Sequence, residues 1–400
     1  MSLSEKIFKE KNLLGRQKSL FQDDIIDYED KLNENISSSS FLILGGAGTI
    51  GQAVTKEIFK RNPLKLHVID INENNLTELV RDIRASYGYI KGEFKVYSID
   101  IGSEIYDSFI DQNNKYDYVL NLSALKHVRS EKDPFTLMRM LKVNVLNTEK
   151  TINQSITKGT KKYFTVSTDK ATNPVNLMGA SKRAMEMTAF SLAEDINIST
   201  ARFANVLFSD GSLPFSFKQR IIKKQPIVAP YDIYRYFITP EESGHLCLLS
   251  LILGQNREIF FPKLTEKLKP QSFKDLAVNF LFNLGYEAEI LDSEKEARDY
   301  AKVMHNDKKW PCYFSSSDTT GEKPIEEFYD ENDTMELLKF NSVGIIKSPF
   351  ASFDSLTFKR KLLEYSKNDI WERNHLVELI KEFVPELNYV DKEKFLDEKM

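Results

Sequence analysis

Two short stretches of this chain hold residue types whose spacing invites chemistry. Residues 167–170 read Ser-Thr-Asp-Lys, directly after the apolar run 162–166. Asp169 and Lys170 put an acid and a base within a few ångströms of each other. Lys182 follows Lys170 by twelve residues, and Met178 stands four before Lys182. Met178 and Lys182 therefore share one face of a helix. The second stretch is Gly45-Gly46-Ala47-Gly48-Thr49-Ile50-Gly51, which follows an apolar strand and opens a helix. Glycines there let the backbone turn tightly and approach a pyrophosphate, while the helix start offers unpaired N–H groups and a favourable dipole. A purely structural strand–helix turn would also use glycine, but the flanking pattern is right on both sides.

Asp70 ends the next strand, 19 residues beyond Gly51. An acid at that place accepts hydrogen bonds from adenosine ribose hydroxyls and repels a 2′-phosphate, which favours NAD over NADP. A helix-capping Asp is the plainer alternative. Asp100, at the end of the third strand, is a candidate for the adenine edge.

The elements that must position these groups alternate. Strands are predicted over 41–44, 66–71, 94–99, 118–122, 162–166 and 198–203. Helical spacing covers 52–61, 76–86, 135–158 and 178–194. Such alternation implies an α/β fold, a doubly wound parallel sheet covered on both faces. Its ligands bind at the carboxyl ends of the strands, where 167–170 lies. The predicted organisation is an N-terminal helical extension over 1–40 and a dinucleotide-binding domain over 41–205. A smaller, proline-interrupted substrate region follows over 206–330, then a charged helical tail over 331–400. In the extension, Leu13, Leu14, Phe21, Ile25 and Ile26 are placed to dock on a neighbour.

Bulk properties narrow the class. Over 400 residues, 41% are hydrophobic and the formal net charge is -4, so nothing advertises nucleic acid or an anionic membrane. Two cysteines and five scattered histidines argue against a disulfide framework or a metal site and fit a reducing cytoplasm. No run approaches the roughly 20 apolar residues that span a bilayer, so a soluble protein is expected.

Beyond these readings, a serine followed by YxxxK spacing marks the short-chain dehydrogenase/reductase superfamily. The segments 167–174 and 178–183 resemble one branch of it, the CapD-like polysaccharide-biosynthesis family of UDP-N-acetylglucosamine 4,6-dehydratases. So do 124–128, 143–148, 202–207 and 235–239, and the resemblance covers roughly 40–290. It implies a Rossmann fold, a bound NAD and a UDP-sugar substrate. Hydride would leave sugar carbon 4, water would be lost across carbons 5 and 6, and hydride would return to carbon 6. It implies Lys170 as base at carbon 5, Asp169 as acid to the 6-hydroxyl, and Lys182 on the nicotinamide ribose. Ser123, Ala124, Lys126, Asn144 and Ser167 would lie beside the cofactor, and Lys126, Met178, Asn205 and Arg235 beside the substrate. Asn144 reads equally well as a capping residue, and Lys126 and Arg235 as surface charge.

Met178 departs from the superfamily, whose tyrosine stands there. A thioether does no useful proton transfer, so Thr168 is the candidate to relay the 4-hydroxyl proton. The competing readings are a nucleotide-sugar 4-epimerase, which normally relies on that tyrosine, and an inactive NAD-binding scaffold or sensor. Pairing into a homo-oligomer is expected through 135–158 and 178–194, whose apolar faces would also suit burial within one chain.

Overall fold

The computed structural model describes residues 10–113, 115–303, 308–347 and 353–392. Parts of the extension expected over 1–40 (residues 1–9) and of the tail expected over 331–400 (residues 348–352 and 393–400) lie outside the described residues.

Nine strands form one sheet. They are β1 (Ser40–Leu44), β2 (Lys65–Asp70), β3 (Glu93–Ser98), β4 (Tyr118–Asn121), β5 (Lys162–Thr168), β6 (Asn197–Phe203), β7 (Glu258–Pro262), β8 (Met335–Glu336) and β9 (Val343–Lys347). Their order is β8-β9-β7-β6-β5-β4-β1-β2-β3. From β3 to β7 all neighbours run parallel, and β9 and β8 add antiparallel. The strand order reverses between β1 and β4, the crevice where Rossmann sheets bind ligands. The inner strands are near-continuous apolar runs, as strands covered on both faces must be; Phe41, Ile43, Leu66, Phe164 and Ile198 are all fully buried.

The helices that matter for the site are α1 (Thr49–Phe59), α2 (Pro134–Leu141), α3 (Asn147–Thr157), α4 (Leu177–Ser191), α5 (Leu213–Ile222) and α6 (Pro240–Leu253). Their starts are chemically marked. Asp133 caps α2 with Pro134 behind it, Asn176 caps α4, and Thr239 and Glu242 form a reciprocal capping box on α6. A single π-helical turn, Lys142–Leu146, interrupts the predicted helix over 135–158.

The sheet runs on past the boundary read at 205, because β7, β8 and β9 return to it and α6 packs on α1. Between these returns lies a smaller layer with a three-stranded sheet built from Ile227–Pro230, Glu287–Ile290 and Lys309–Ser315. Of the N-terminal residues expected to dock, Leu13, Leu14, Phe21 and Ile25 are buried, whereas Ile26 is exposed. Two tail helices, α7 (Ser355–Tyr365) and α8 (Arg373–Phe383), close over α2 and α4. Phe358, Leu362, Leu376 and Ile380 share one buried cluster with Leu137, Leu141, Met178 and Met185. The faces expected to pair two copies are thus covered within one chain, the alternative that the sequence left open. No helix among the described residues is long and apolar enough to cross a membrane.

Candidate active site

The glycine turn leaves β1 and enters α1. Gly45 has φ +74°, and a Cβ there would stand 2.6 Å from the Ser123 nitrogen, so only glycine lets this turn lie against the chain leaving β4. A Cβ on Gly51 would come within 2.4 Å of the Gly45 carbonyl oxygen, whereas one on Gly48 would meet nothing nearer than 3.7 Å. Space opens at Gly48. It is also the N-cap of α1 and provides no side-chain cap, so the first N–H groups of α1 have no capping side chain in front of them. Asp70, half-buried at the end of β2, accepts the Ala47 N–H at 2.9 Å and the Asn72 N–H at 2.9 Å. Its carboxylate is held at the rim of the turn, with lone pairs to spare. Thr49 reaches across to accept the Asp210 N–H at 3.3 Å, and Ile50 packs against the main core. An open glycine, an uncapped helix start and an anchored acid fit the pyrophosphate and adenosine ribose of a dinucleotide.

Asp100 is exposed at the end of β3, and its carboxylate accepts the Gly102 N–H at 2.8 Å, closing the turn that follows. Ser123 and Ala124 are half-buried beside the glycine turn. Asn144, fully buried on the π-helical turn, accepts the Leu125 N–H and donates to the Leu125 carbonyl, both at 3.0 Å, and donates to Ser181 Oγ at 2.9 Å. It ties the segment after β4 to α4 rather than presenting its amide to a cleft.

The strip at the end of β5 splits by direction. Ser167 points into the core and donates to Glu186 at 2.6 Å. Thr168 donates to Asp169 Oδ1 at 2.8 Å, and Lys170 Nζ donates to the same oxygen at 3.1 Å. Asp169 is 1% exposed, and its Oδ2 has no hydrogen-bond partner among the described residues. Lys182 is buried and donates to the Val166 carbonyl at 2.9 Å; burial pushes its pKa down to about 8 against the opposing pull of Glu186. Met178 is buried in the apolar cluster under the tail helices, while its backbone N–H donates to Glu131 at 2.8 Å. Burial pushes that Glu131 carboxyl up to about 7.

A cleft of about 580 Å³ opens between this strip and the smaller layer, lined among others by Lys126, His127, Lys170, Asn205, Arg220 and Arg235. Of the residues expected around a substrate, Lys126, Asn205 and Arg235 come together here and Met178 does not. Arg235 is buried and heavily committed. Its Nη1 donates to the Tyr234 and Lys323 carbonyls at 2.8 and 2.9 Å, and its Nη2 meets Glu322 and Glu326 at 3.4 Å each. Glu326 also lies 3.6 Å from Lys170 Nζ. Sequence reasoning missed Glu326, Glu322 and Glu131, each one charge in a charged stretch, and the pairing of Glu186 with Arg202, which stand 16 residues apart on different elements; no local spacing singles any of them out.

Residues 41–347 match the family model described as polysaccharide biosynthesis protein. An uncharacterised membrane protein of Methanocaldococcus jannaschii is 32% identical over 252 residues, 61% of this chain and 70% of that protein. The capsular polysaccharide biosynthesis protein CapD of Staphylococcus aureus is 30% identical over 269 residues, 66% of this chain and 44% of that one. This chain thus spans less than half the length of CapD. A UDP-glucose 4-epimerase of Rickettsia massiliae is 26% identical over 300 residues, 72% of this chain and 82% of the epimerase. Among solved structures, the dTDP-glucose 4,6-dehydratase of Streptomyces venezuelae with NAD bound superimposes with TM-score 0.57 at 16% identity, covering 82% of this chain and 97% of that one. That likeness shows the Rossmann-like fold.

Proposed function

This chain belongs to the polysaccharide biosynthesis protein family, and from that premise we propose that it is a UDP-N-acetylglucosamine 4,6-dehydratase using bound NAD. The observation that carries the reading is the hydrogen-bonded set Thr168–Asp169–Lys170, whose Lys170 lines the cleft. An epimerase has no need of a second acid and base beside the hydride path, whereas loss of water across carbons 5 and 6 needs both.

A bound nicotinamide would supply a hydride acceptor at sugar carbon 4 and a donor at carbon 6. Gly45 to Gly51 and Asp70 would hold the pyrophosphate and ribose, and Lys182, released from the Val166 carbonyl, the nicotinamide ribose. Lys126 and Asn205 would take the UDP-sugar, with Arg235 shaping the floor. With Met178 unable to move a proton, Thr168 takes the 4-hydroxyl proton and passes it to Asp169, 2.8 Å away. Asp169 thereby becomes the acid that protonates the departing 6-hydroxyl. Lys170 removes the carbon 5 proton and returns it, or one from solvent, after hydride reaches carbon 6. The sum is loss of one water with the cofactor unchanged.

The test is mass spectrometry of UDP-N-acetylglucosamine incubated with the protein in heavy water. Loss of one water with one deuterium gained is expected. Unchanged mass with the carbon 4 configuration inverted would turn the reading to an epimerase, and no change with NAD bound would leave another sugar or a scaffold. Thr168→Val should abolish turnover while leaving NAD bound; full turnover would remove Thr168 from the proton path.

A further inference from the structure

Lys170 is flanked by two carboxylates, of which only Asp169 is its sequence neighbour. The other, Glu326, is brought in from a distant segment that is unusually well fastened. Arg202, buried in β6, donates to the Phe328 carbonyl at 2.8 Å, and Tyr234 N–H donates to the Pro324 carbonyl at 2.8 Å. Arg235 grips the Lys323 carbonyl at 2.9 Å, and Lys323 Nζ reaches the Thr172 carbonyl at 3.1 Å. These bonds hold Glu326 in a buried place, its side chain 2% exposed, against Lys170 Nζ at 3.6 Å and Arg235 Nη2 at 3.4 Å. Burying a carboxylate costs free energy unless a charge answers it, and the fold answers it with the residue that must act as base.

We propose that Glu326 is a positioning residue for Lys170, holding its Nζ between two carboxylates, beside Asp169 at 3.1 Å. That Lys170 is the base rests on the dehydratase reading; the geometry does not. The charged groups around Lys170 are Asp169 from its own turn, Glu326 and, behind it, Glu322 from the fastened segment, Arg235, and Lys126 in the same cleft. Of these, Glu326 is the carboxylate whose removal would change Lys170 without touching the catalytic strip. It bridges Lys170 to Arg235, so it also links the base to the floor of the cleft.

The experiment is trace acetylation of the full chain at one pH, with the Lys170 peptide quantified by mass spectrometry against the other lysine peptides. This reads how Lys170 is held without any turnover. Glu326→Gln and Glu326→Ala should each raise Lys170 labelling several-fold, and Glu326→Asp should restore most of the protection, because it returns a carboxylate to the 3.6 Å contact. Unchanged Lys170 labelling in whichever neutral variant folds would overturn the proposal. Raised labelling in a protein whose wild type dehydrates no UDP-sugar would uphold it and sink the dehydratase reading instead.

Discussion

The buried pair Glu186–Arg202 offers the sharpest test of how the Ser-Thr-Asp-Lys strip is held. Arg202 Nε and Nη2 donate to the two Glu186 oxygens at 3.0 and 2.9 Å, and Ser167 Oγ donates to the same carboxylate at 2.6 Å. Arg202 Nη1 holds Thr172 Oγ1 and the Phe328 carbonyl. One ion pair thus joins α4, β5, β6 and the segment that carries Glu326. Glu186→Gln keeps the shape but leaves buried Arg202 with only Asp333, 3.8 Å from Nη1, as an ion-pair partner, which costs about 3 kcal/mol, the lower end for a broken buried pair. At roughly 2.1 cal/mol/K of unfolding entropy per residue over 400 residues, that lowers the melting temperature by about 4 °C. Burial works to raise the Glu186 pKa, but Arg202's charge and hydrogen bonds outweigh it and hold the folded value below the usual 4.5. A depressed acid contributes stability that is present above the unfolded value and lost as pH falls through the folded one. The gap between wild type and Glu186→Gln should therefore be full at pH 7 and shrink below about pH 4.5. Replacing both partners by methionine should recover most of the loss, because a well-packed apolar pair replaces a buried ion pair at little cost. Differential scanning calorimetry decides it. A single variant within 1 °C of wild type at pH 7, or a double variant as weak as the single, would refute the argument.

Three further outcomes follow from the same structure. Gly48→Ala should leave the melting temperature nearly unchanged, since its Cβ would meet nothing nearer than 3.7 Å, while Gly51→Ala, 2.4 Å from a carbonyl oxygen, should destabilise; only Gly48→Ala should report on dinucleotide affinity alone, measured by calorimetric titration. Lys182→Met removes a cation whose pKa burial has pushed down to about 8. The wild type bears that penalty in full below pH 8 and sheds it toward pH 10.5, so the variant should be more stable at pH 7, by up to roughly 3 kcal/mol, and lose turnover; a melting temperature that falls would contradict this. Val377→Asp puts a charge into the seam between α8 and the α2–α4 face and should cost 2 kcal/mol or more, roughly, with concentration-dependent association seen by sedimentation velocity as that face opens.

How much of this could be read beforehand depended on whether the signal was local. The glycine turn, Asp70 and the Ser-Thr-Asp-Lys strip are contiguous in sequence, and alternating apolar runs fixed which strand end each would occupy. Where a side chain points at a strand end is not local. Ser167 and Thr168 are neighbours of one chemical type, yet one serves Glu186 in the core and the other Asp169, the partner of cleft-lining Lys170. Asn144 and Met178 were legible as positions but not as contacts, because what they meet, Leu125 and the tail helices, is set by tertiary packing. The strand Glu258–Pro262 hid among prolines and short segments, and only pairing with β6 and β9 makes it part of the main sheet. Glu326 could not be read at all, since the acidic run around it looks like a solvated surface.

The charges at the strip end lead to one last step. With a tyrosine, the 4-hydroxyl proton would have its own acceptor, and Asp169 would have to find its proton elsewhere. Here Met178 is sealed into the apolar cluster, and the hydroxyl nearest to Asp169 is Thr168, already bonded to Oδ1. The same oxygen receives Lys170 Nζ, so in the proposed dehydration a proton passed to Asp169 loosens its hold on Lys170 just when that amine is to reach carbon 5. Oxidation at carbon 4 would then ready both members of the pair in one event: the acid gains its proton, and the base loses one of the two partners that fix it. Glu326 remains as the second, which is why its removal should loosen Lys170 rather than abolish the chemistry.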